Sequence, residues 1–225
     1  MANLFSVAKR AAQLTPSIIV AFSGGKDSIA VLDVCAQHFR RVEAYFMYTV
    51  KGLGFQERYL QYIERRYSIT IQRVPHFNLS RMIASGSFRP AQACEQLSIT
   101  DVENAMRQQL GIDWIASGEK MSDSLQRRGM LNAIQGLSES RRRVYPLAGF
   151  SDRAVFSYLK MRQIPLPPDY RLFNARSFGR LYARELIIIR DNFPEDYELI
   201  KQSFPFVEAQ VKRDEFSRTN SPQTA

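Results

Sequence analysis

The chain has 225 residues, of which 45% are hydrophobic and 24% are charged, a composition typical of one folded globular domain. This composition excludes an intrinsically disordered chain, a collagen-like fibre and a small disulfide-stabilised protein. The sequence contains no uncharged apolar run of about 18 residues, so no helix is predicted to cross a membrane. Lys9 and Arg10 interrupt the first apolar segment before it reaches the length of a signal peptide, and we therefore expect a cytoplasmic protein.

The charge balance is strongly basic. The sequence contains 31 basic and 22 acidic residues, and only seven of the basic residues are lysines. Arginine binds phosphate with two parallel hydrogen bonds and stacks on bases, whereas lysine acts as a point charge. The composition therefore favours nucleotides or nucleic acid as ligands or partners, with a basic surface that only aids solubility as the alternative.

The predicted elements alternate between strands and helices from residue 18 onward. Residues 18–22 (IIVAF) form a continuous apolar run typical of a parallel strand buried on both faces. Apolar residues spaced three and four apart predict helices in residues 29–39 and 55–67. Further strands are predicted at residues 42–47 and 69–74. This alternation predicts an α/β fold with a parallel, doubly wound sheet and helices on both faces.

The remaining elements are less regular. Residues 75–100 lack periodicity and predict a loop-rich insertion with one short helix. Beyond it, helices are predicted at residues 101–110, 152–163, 183–193 and 196–210, and short strands at 114–116 and 144–147. Pro194 and Pro205 are expected to break the last two helices. We expect three parts: an α/β nucleotide-binding domain over residues 1–170, a helical C-terminal extension over 171–212, and a disordered tail over 213–225.

The hexapeptide SGGKDS follows the first predicted strand and precedes a predicted helix. Gly24 and Gly25 can adopt backbone angles that are closed to other residues, and the helix start offers free N–H groups to an anion. Ser23 and Ser28 add hydroxyl donors, and Lys26 adds a positive charge. The pattern predicts an anion-binding loop; the alternative is a glycine turn with capping residues and no ligand.

Two common phosphate loops do not match this hexapeptide. Ile29 stands where the Walker pattern requires its second glycine, and the adjacent Gly24 and Gly25 break the dinucleotide pattern G-x-G-x-x-G. The sequence instead resembles the PP-loop of the adenine nucleotide alpha hydrolase superfamily, whose fold is of the Rossmann-like HUP type. The resemblance implies a loop that holds the pyrophosphate of ATP while a nucleophile attacks the alpha phosphorus.

The resemblance also implies roles for the loop residues. The implied nucleotide-binding residues are Ser23, Gly24, Gly25, Lys26, Asp27 and Ser28, with Lys26 and Asp27 also the expected catalytic residues. A triphosphate usually arrives with Mg²⁺, which prefers carboxylate and phosphate oxygens. Asp27 is therefore the candidate magnesium ligand, although it could instead brace the turn.

Two further segments resemble the phosphoadenosine phosphosulfate (PAPS) reductase family. They are GEKMSDSLQRRGML, residues 118–131, and the stretch 145–170 that ends in IPLPPDY; with the loop, the similarity covers most of residues 17–170. In that family the first segment surrounds the substrate. The implied substrate-binding residues are Gly118, Lys120, Asp123, Ser124, Arg127 and Arg128.

The sequence departs from the PAPS reductase pattern in two places. The reductases act through a cysteine near the C-terminus, whereas the last cysteine here is Cys94, which leaves 131 residues without a thiol. We therefore expect an enzyme that is not a cysteine-dependent reductase. In addition, the segment FMYTVKG lacks the acidic residue that relatives often place after the second strand. With only Cys35 and Cys94, no C-x-x-C pattern and no cluster of histidines and cysteines, the chain alone is not expected to build a structural zinc site or a cysteine-ligated iron–sulfur cluster.

The basic residues concentrate between residues 127 and 190. This region has thirteen basic and four acidic residues, so it carries as much net charge, +9, as the whole chain. The resemblance places Arg127, Arg128 and the triplet Arg141, Arg142 and Arg143 beside the nucleotide pocket. They could clamp a phosphate-bearing substrate or a nucleic-acid strand, or form a solvated loop.

These observations support one main hypothesis and two alternatives. The main hypothesis is a PP-loop enzyme that binds ATP or a related adenine nucleotide with Mg²⁺ and transfers the adenylyl group to an unknown acceptor, with release of pyrophosphate. One alternative is a nucleotide-dependent regulator without turnover that binds nucleic acid through the arginine-rich region 127–190. The other, based on similarity to the sulfate adenylyltransferase small subunit, is a subunit that acts beside a protein partner.

Overall fold

The computed structural model describes residues 5–173 and 181–219. Its centre is a six-stranded sheet in the order β3-β2-β1-β4-β6-β5. The strands are β1 (Ser17–Ala21), β2 (Arg41–Tyr48), β3 (Ile71–Pro75), β4 (Ile115–Ala116), β5 (Leu137–Ser138) and β6 (Arg143–Val144). All pairs are parallel except β5 with β6, which is antiparallel. The predicted α/β class is confirmed, with one short antiparallel strand at the edge.

Helices cover both faces of this sheet. They are α1 (Ser6–Leu14), α2 (Lys26–His38), α3 (Gly54–Tyr67), α4 (Phe77–Ser85), α5 (Ile99–Leu110), α6 (Leu125–Ala133), α7 (Asp152–Met161), α8 (Asp169–Leu172), α9 (Ala183–Asn192), α10 (Pro194–Ser203) and α11 (Val207–Thr219). No helix in the described ranges is long and apolar enough to cross a membrane.

The central strand β1 is buried on both faces, which explains its continuous apolar sequence. Ile18 and Val20 belong to the main core, which also contains the buried residues of α2, α3 and α7. Ile19 faces the opposite side of the sheet and packs in a second cluster with Val102 and Met106 of α5. Because successive side chains of a strand point to opposite faces, β1 needs an apolar residue at each of these positions.

The strand order places a topological switch at β1. The chain proceeds from β1 to β2 and β3 in one direction and then returns to the other side of β1 to form β4. In open α/β sheets, ligands bind at the carboxyl ends of the strands where this reversal occurs. The segments that follow β1 and β4 are therefore the expected walls of a binding site.

A separate apolar cluster joins the C-terminal helices to the segment after β2. Val50, Leu53 and Phe55 contribute to it, together with residues of α9, α10 and α11. Asp196 of α10 reinforces this contact because it accepts hydrogen bonds from the backbone N–H groups of Gly54 (2.5 Å) and Phe55 (3.1 Å). A carboxylate from α10 thus caps the first turn of α3, where the helix dipole favours negative charge.

The structure corrects the expected start of the disordered tail. Residues 213–219, which the sequence analysis assigned to that tail, form the last turns of α11. Val211 is buried, Arg190 of α9 forms an ion pair with Glu215 (2.7 Å), and Asp214 pairs with Arg218. The burial of Val211 and the pair between Arg190 and Glu215 are tertiary contacts, whereas Asp214 and Arg218 pair within α11. The polar composition of this segment alone does not predict a helix. Residues 220–225 lie outside the described residues, and the three-part division of the chain remains a prediction.

Most element boundaries agree with the sequence analysis to within a few residues. The insertion after β3 contains one helix, α4, followed by an exposed irregular stretch, as predicted. The interruption predicted at Pro205 is also observed, because α10 ends at Ser203 and α11 begins at Val207. The sequence patterns did not indicate α1, α6, α8 or the edge strand β5.

We predict that Asp196→Ala lowers the free energy of unfolding by about 1–3 kcal/mol, because it leaves two N–H groups at the start of α3 without their acceptor. Urea denaturation measures the change. Glu195→Ala is the matched control, because Glu195 is the exposed neighbour in the same helical turn and should change stability by less than about 0.5 kcal/mol. Equal stability of the two variants would contradict the capping role.

Candidate functional site

The loop after β1 is held in shape by its own serines. Ser28 Oγ accepts a hydrogen bond from the backbone N–H of Ser23 (3.1 Å) and donates to the carbonyl of Gly25 (2.9 Å). Gly24 has φ +73°, a left-handed conformation that favours glycine. Gly25 is the N-cap of α2, and no side chain caps this helix start. The first amides of α2 are therefore available to an anion.

A cavity of about 380 Å³ opens beside this loop at the carboxyl ends of β1, β2 and β4. Its volume lies within the usual range for small-molecule sites. The lining residues come from the loop, the strand ends and the segment before α6. They are Ala21, Phe22, Ser23, Asp27, Ser28, Tyr45, Phe46, Met47, Thr49, Gln56, His76, Ser117, Gly118, Glu119, Asp123 and Arg127.

A cluster of lysines and aspartates fixes the loop to the elements around it. The Nζ atom of Lys120, whose side chain is only 2% exposed, lies 2.8 Å from Asp27 Oδ1, 2.9 Å from Asp123 Oδ1 and 3.4 Å from Asp152 Oδ1. Lys26 Nζ contacts Asp27 Oδ2 (2.8 Å) and Asp152 Oδ1 (3.1 Å). Two ammonium groups thus hold together three carboxylates from the loop, the segment after β4 and the start of α7.

The pKa shifts of Lys26, Lys120, Asp123 and Asp152 all favour the charged forms at neutral pH. Burial by itself lowers the pKa of Lys120, but the bonds and charges of Asp27 and Asp123 outweigh it and leave the pKa raised. The pKa of Lys26 is raised in the same way by Asp27 and Asp152. Burial raises the pKa of Asp123, but its hydrogen bonds with Lys120 and the charges of Lys120 and Arg127 lower the pKa overall.

Gly118 allows the segment after β4 to approach the loop closely. A Cβ atom at this position would lie 3.0 Å from Asp27 Cβ and 3.3 Å from the carbonyl carbon of Asp27. Such separations are shorter than normal carbon–carbon contacts. Glycine is therefore favoured here, because any side chain would force the loop at Asp27 to shift.

The six predicted loop residues occupy four different positions. Ser23, Asp27 and Ser28 line the cavity. Gly24 lines a small adjoining depression, and Gly25 forms the helix cap. The side chain of Lys26 does not line the cavity and turns towards Asp152 and the ring of Phe156, whose centroid is 5.8 Å from Nζ. The roles predicted for these residues are compatible with this placement but remain predictions.

The predicted substrate-binding residues are only partly brought together. Gly118, Asp123 and Arg127 line the cavity, and Arg127 Nη1 contacts Asp123 Oδ2 at 3.1 Å. Lys120 lies buried beneath the cavity wall. Ser124 caps α6 by accepting from the N–H of Arg127 (3.2 Å), and Arg128 is an exposed residue of α6 outside the cavity lining.

The arginine triplet is not beside the cavity. Arg142 pairs with Asp113, and the carbonyl of Arg141 accepts a hydrogen bond from Arg107. These residues precede β4 and β6 and therefore lie at the amino ends of the strands, whereas the cavity lies at the carboxyl ends. Arg143 forms an ion pair with the buried Glu103 of α5. The expectation that this triplet surrounds the nucleotide pocket is thus corrected, because only Arg127 lines the cavity.

The sequence analysis missed several residues that line the cavity. Met47 and Thr49 extend from the end of β2, and His76 follows β3. The rule that ligands gather at the carboxyl ends of strands gives the signal that could have identified Thr49 and Ser117. Burial lowers the pKa of His76, and its Nδ1 accepts a hydrogen bond from the N–H of Asn78 (3.1 Å), so the ring is neutral at pH 7.

Besides Asp27 Oδ1, which forms an ion pair with Lys120, three buried polar atoms of the cavity lining lack a hydrogen-bond partner within the described ranges. They are the hydroxyl of Tyr45 (1% exposed), Oγ of Ser117 (7% exposed) and Oε2 of Glu119. Buried polar atoms are normally satisfied, and such exceptions are frequent at ligand sites. These two hydroxyl groups and one carboxylate oxygen are therefore candidate hydrogen-bonding groups for a bound molecule.

The predicted magnesium ligand does not fit a metal site in this arrangement. Both carboxylate oxygens of Asp27 contact lysine ammonium groups, and Lys120 occupies the space between Asp27 and Asp123. In the part of the chain that the structure describes, no group of three or more His, Cys, Asp or Glu side chains is arranged to hold a metal ion. Asp27 is better described as a brace for the loop.

Comparisons with known proteins agree with the fold. The family model of the phosphoadenosine phosphosulfate reductase domain matches residues 17–174. The chain is similar to the phosphoadenylyl-sulfate (PAPS) reductase of Candida auris in its phosphate complex, with 14% identity, a TM-score of 0.52, and 78% of this chain and 87% of that chain covered. It also matches the U34-tRNA thiolase NcsA of Methanococcus maripaludis with its [4Fe-4S] cluster, with 15% identity, a TM-score of 0.49, and coverage of 91% and 80%. No curated protein matches the sequence.

We predict that Gly118→Ala weakens ATP binding at least about tenfold, equivalent to about 1.4 kcal/mol, because the added methyl group displaces the loop at Asp27. Isothermal titration calorimetry measures the affinity. Gly129→Ala in α6 is the matched control, since a Cβ there meets no atom within 4 Å. If Gly118→Ala binds ATP as tightly as Gly129→Ala, the close approach does not matter for binding.

We predict that Lys120→Met lowers the free energy of unfolding by about 3–5 kcal/mol at pH 7, because three carboxylates lose their shared buried cation. Asp123 and Asp152 have lowered pKa values in the folded protein. Their contribution to stability is therefore present above an unfolded pKa of about 3.9 and is lost as the pH falls through the lower folded pKa.

Urea denaturation between pH 2.5 and pH 7 tests this linkage. The loss of stability in acid should be shallower in Lys120→Met than in the wild type, because the cation that lowers the two pKa values is absent. Lys160→Met removes an exposed lysine and should keep the wild-type profile. Parallel acid profiles for Lys120→Met and the wild type would contradict the proposed coupling.

Proposed function

Because the chain belongs to the phosphoadenosine phosphosulfate reductase family of the PP-loop superfamily, we propose that it binds ATP or a related adenine nucleotide with its phosphates against residues 23–28. The observation that carries this proposal is the position of the loop. It leaves the central strand at the topological switch, presents the uncapped start of α2, and borders a cavity of about 380 Å³.

We further propose that the enzyme transfers an adenylyl group. An oxygen of the acceptor attacks the alpha phosphorus, the bond to the bridging oxygen of the beta phosphate breaks, and pyrophosphate leaves. The negative charge on the departing pyrophosphate needs donors that are in place before the reaction. The uncapped amides at the start of α2 would supply them, because the hydroxyls of Ser23 and Ser28 already donate hydrogen bonds within the loop.

Lys26 would provide the positive charge for this step. Its ammonium group contacts Asp152, whose side chain is 65% exposed and can therefore release it at little cost. The contact with Asp27, one residue away in the chain, would keep Lys26 next to the loop. We propose that Lys26 exchanges Asp152 for a phosphate oxygen when the nucleotide binds.

The acceptor and the partners remain open within this proposal. The first turns of α6 form the rim of the cavity next to Arg127, and they expose Arg128 and Leu125. An anionic acceptor, either a small oxyanion or a single-stranded nucleic acid, would find its positive charge there. Binding of nucleic acid without turnover, and action beside a protein partner, are the alternatives.

The proposal is tested by release of pyrophosphate from ATP with Mg²⁺ in the buffer, using sulfate, single-stranded RNA and single-stranded DNA as candidate acceptors. We expect one acceptor to stimulate release by the wild type and Lys26→Ala to abolish the stimulation. Calorimetry should show that Lys26→Ala weakens ATP binding by about 1–3 kcal/mol, the scale of a charge-assisted hydrogen bond.

Lys160→Ala is the control for general loss of positive charge, because Lys160 is exposed and does not line the cavity. It should keep the wild-type affinity and the wild-type rate. A wild-type protein that binds ATP but releases no pyrophosphate with any acceptor would favour the regulator without turnover. A wild-type protein that binds no adenine nucleotide would refute the proposed function.

A further inference from the structure

The carboxylates that line the cavity differ in whether they form an ion pair with a lysine or an arginine. Asp27 contacts Lys26 and Lys120, and Asp123 contacts Lys120 and Arg127. Glu119 also lines the cavity, but it forms no ion pair within the described ranges, and its Oε2 atom is buried without a hydrogen-bond partner. The negative charge of Glu119 is therefore the one that a bound molecule would experience directly.

Positive charge is scarce in the rest of the cavity. Among the described lining residues, Arg127 is the only cation, because His76 is neutral at pH 7, and Arg127 is already paired with Asp123. Arg143 lies behind the wall, where Glu103 binds its guanidinium group. The cavity therefore has an anion-binding end at the loop and, around Glu119, a region suited to neutral hydrogen-bonding groups.

This asymmetry predicts which nucleosides fit. When the 5′-phosphates lie against the loop, the nucleoside fills the remaining space near Glu119, Ser117 and Tyr45. The carboxylate oxygen of Glu119 accepts hydrogen bonds only, whereas the hydroxyls of Ser117 and Tyr45 can donate or accept. Free ribose hydroxyls complement such a set of groups. A phosphate on the ribose would instead bring two negative charges towards an uncompensated carboxylate.

We propose that Glu119 makes this site selective for adenine nucleotides with free ribose hydroxyls and against nucleotides with a 3′-phosphate. The inference rests on the proposed function, because it assumes that an adenine nucleotide binds in the cavity. It implies that this chain discriminates against phosphoadenosine phosphosulfate, the compound after which the family is named, because that compound carries a 3′-phosphate. Glu119 is thus a specificity-determining residue.

The test compares two ligands that differ only in the 3′-phosphate, AMP and adenosine 3′,5′-bisphosphate, by calorimetry with the full chain. We expect the bisphosphate to bind the wild type at least about tenfold more weakly than AMP, the scale of a like-charge contact in a partly buried site. Glu119→Gln keeps the size and the acceptor oxygen but removes the charge, so the ratio of the two affinities should fall to within about threefold.

Glu139→Gln is the matched control, because it removes the same charge from an exposed residue outside the cavity and should keep the wild-type ratio. Equal or tighter binding of the bisphosphate by the wild type overturns the inference, and so does an unchanged ratio in Glu119→Gln. These outcomes leave the proposed function intact when AMP and ATP bind. Failure of both AMP and ATP to bind would overturn the proposed function and the inference together.

Discussion

The buried ammonium group of Lys120 is the contact on which the arrangement of the site depends. Asp27, Asp123 and Asp152 reach it from three segments that are far apart in the sequence, and all three carboxylates lie within 3.4 Å of Nζ. The free energy needed to desolvate two buried charges offsets much of their Coulombic attraction, so such clusters add little net stability. We interpret the role of this cluster as positional, because it fixes the loop, the segment after β4 and the start of α7 relative to one another.

A buried carboxylate also fixes helix α2, which follows the loop, at a point farther along its length. Asp33 of α2, which is 1% exposed, accepts hydrogen bonds from the hydroxyl groups of Tyr67 (2.9 Å) and Tyr158 and from Arg162 Nε (2.9 Å). Burial raises the pKa of both tyrosines, so each stays protonated and can donate. Helix α2 is thus fixed to α3 and α7 by Asp33 and to the loop cluster by Asp27. An anion bound at the loop, as proposed, would meet amides that are already in place, which is the condition for electrostatic stabilisation without reorganisation.

The sequence predicts those parts of the fold and the site that depend on local patterns. The apolar run of β1, the glycine turn and the helix after it are contiguous, and the structure places them as expected. The partners of Lys120 and the separation of Arg142 from the cavity depend on strand order, which no short pattern encodes. The helical turns after residue 212 could not be predicted either, because α11 is held by distant contacts, in which Val207 and Val211 pack with residues of α9 and α10.

Net charge, finally, is a poor guide to the charge of a cavity. The sequence has a formal charge of +9, yet only one arginine lines the cavity beside three carboxylates among the described residues. Ion pairing within the fold explains why the charge of the cavity differs from the charge of the whole chain. Asp27 and Asp123 are accompanied by lysine and arginine, so they leave the loop able to receive phosphate, whereas Glu119 has no such partner. A desolvated charge acts most strongly where no counter-ion screens it. Ion pairing of each carboxylate therefore matters more than the number of acidic residues in deciding which groups of a ligand each part of the cavity accepts.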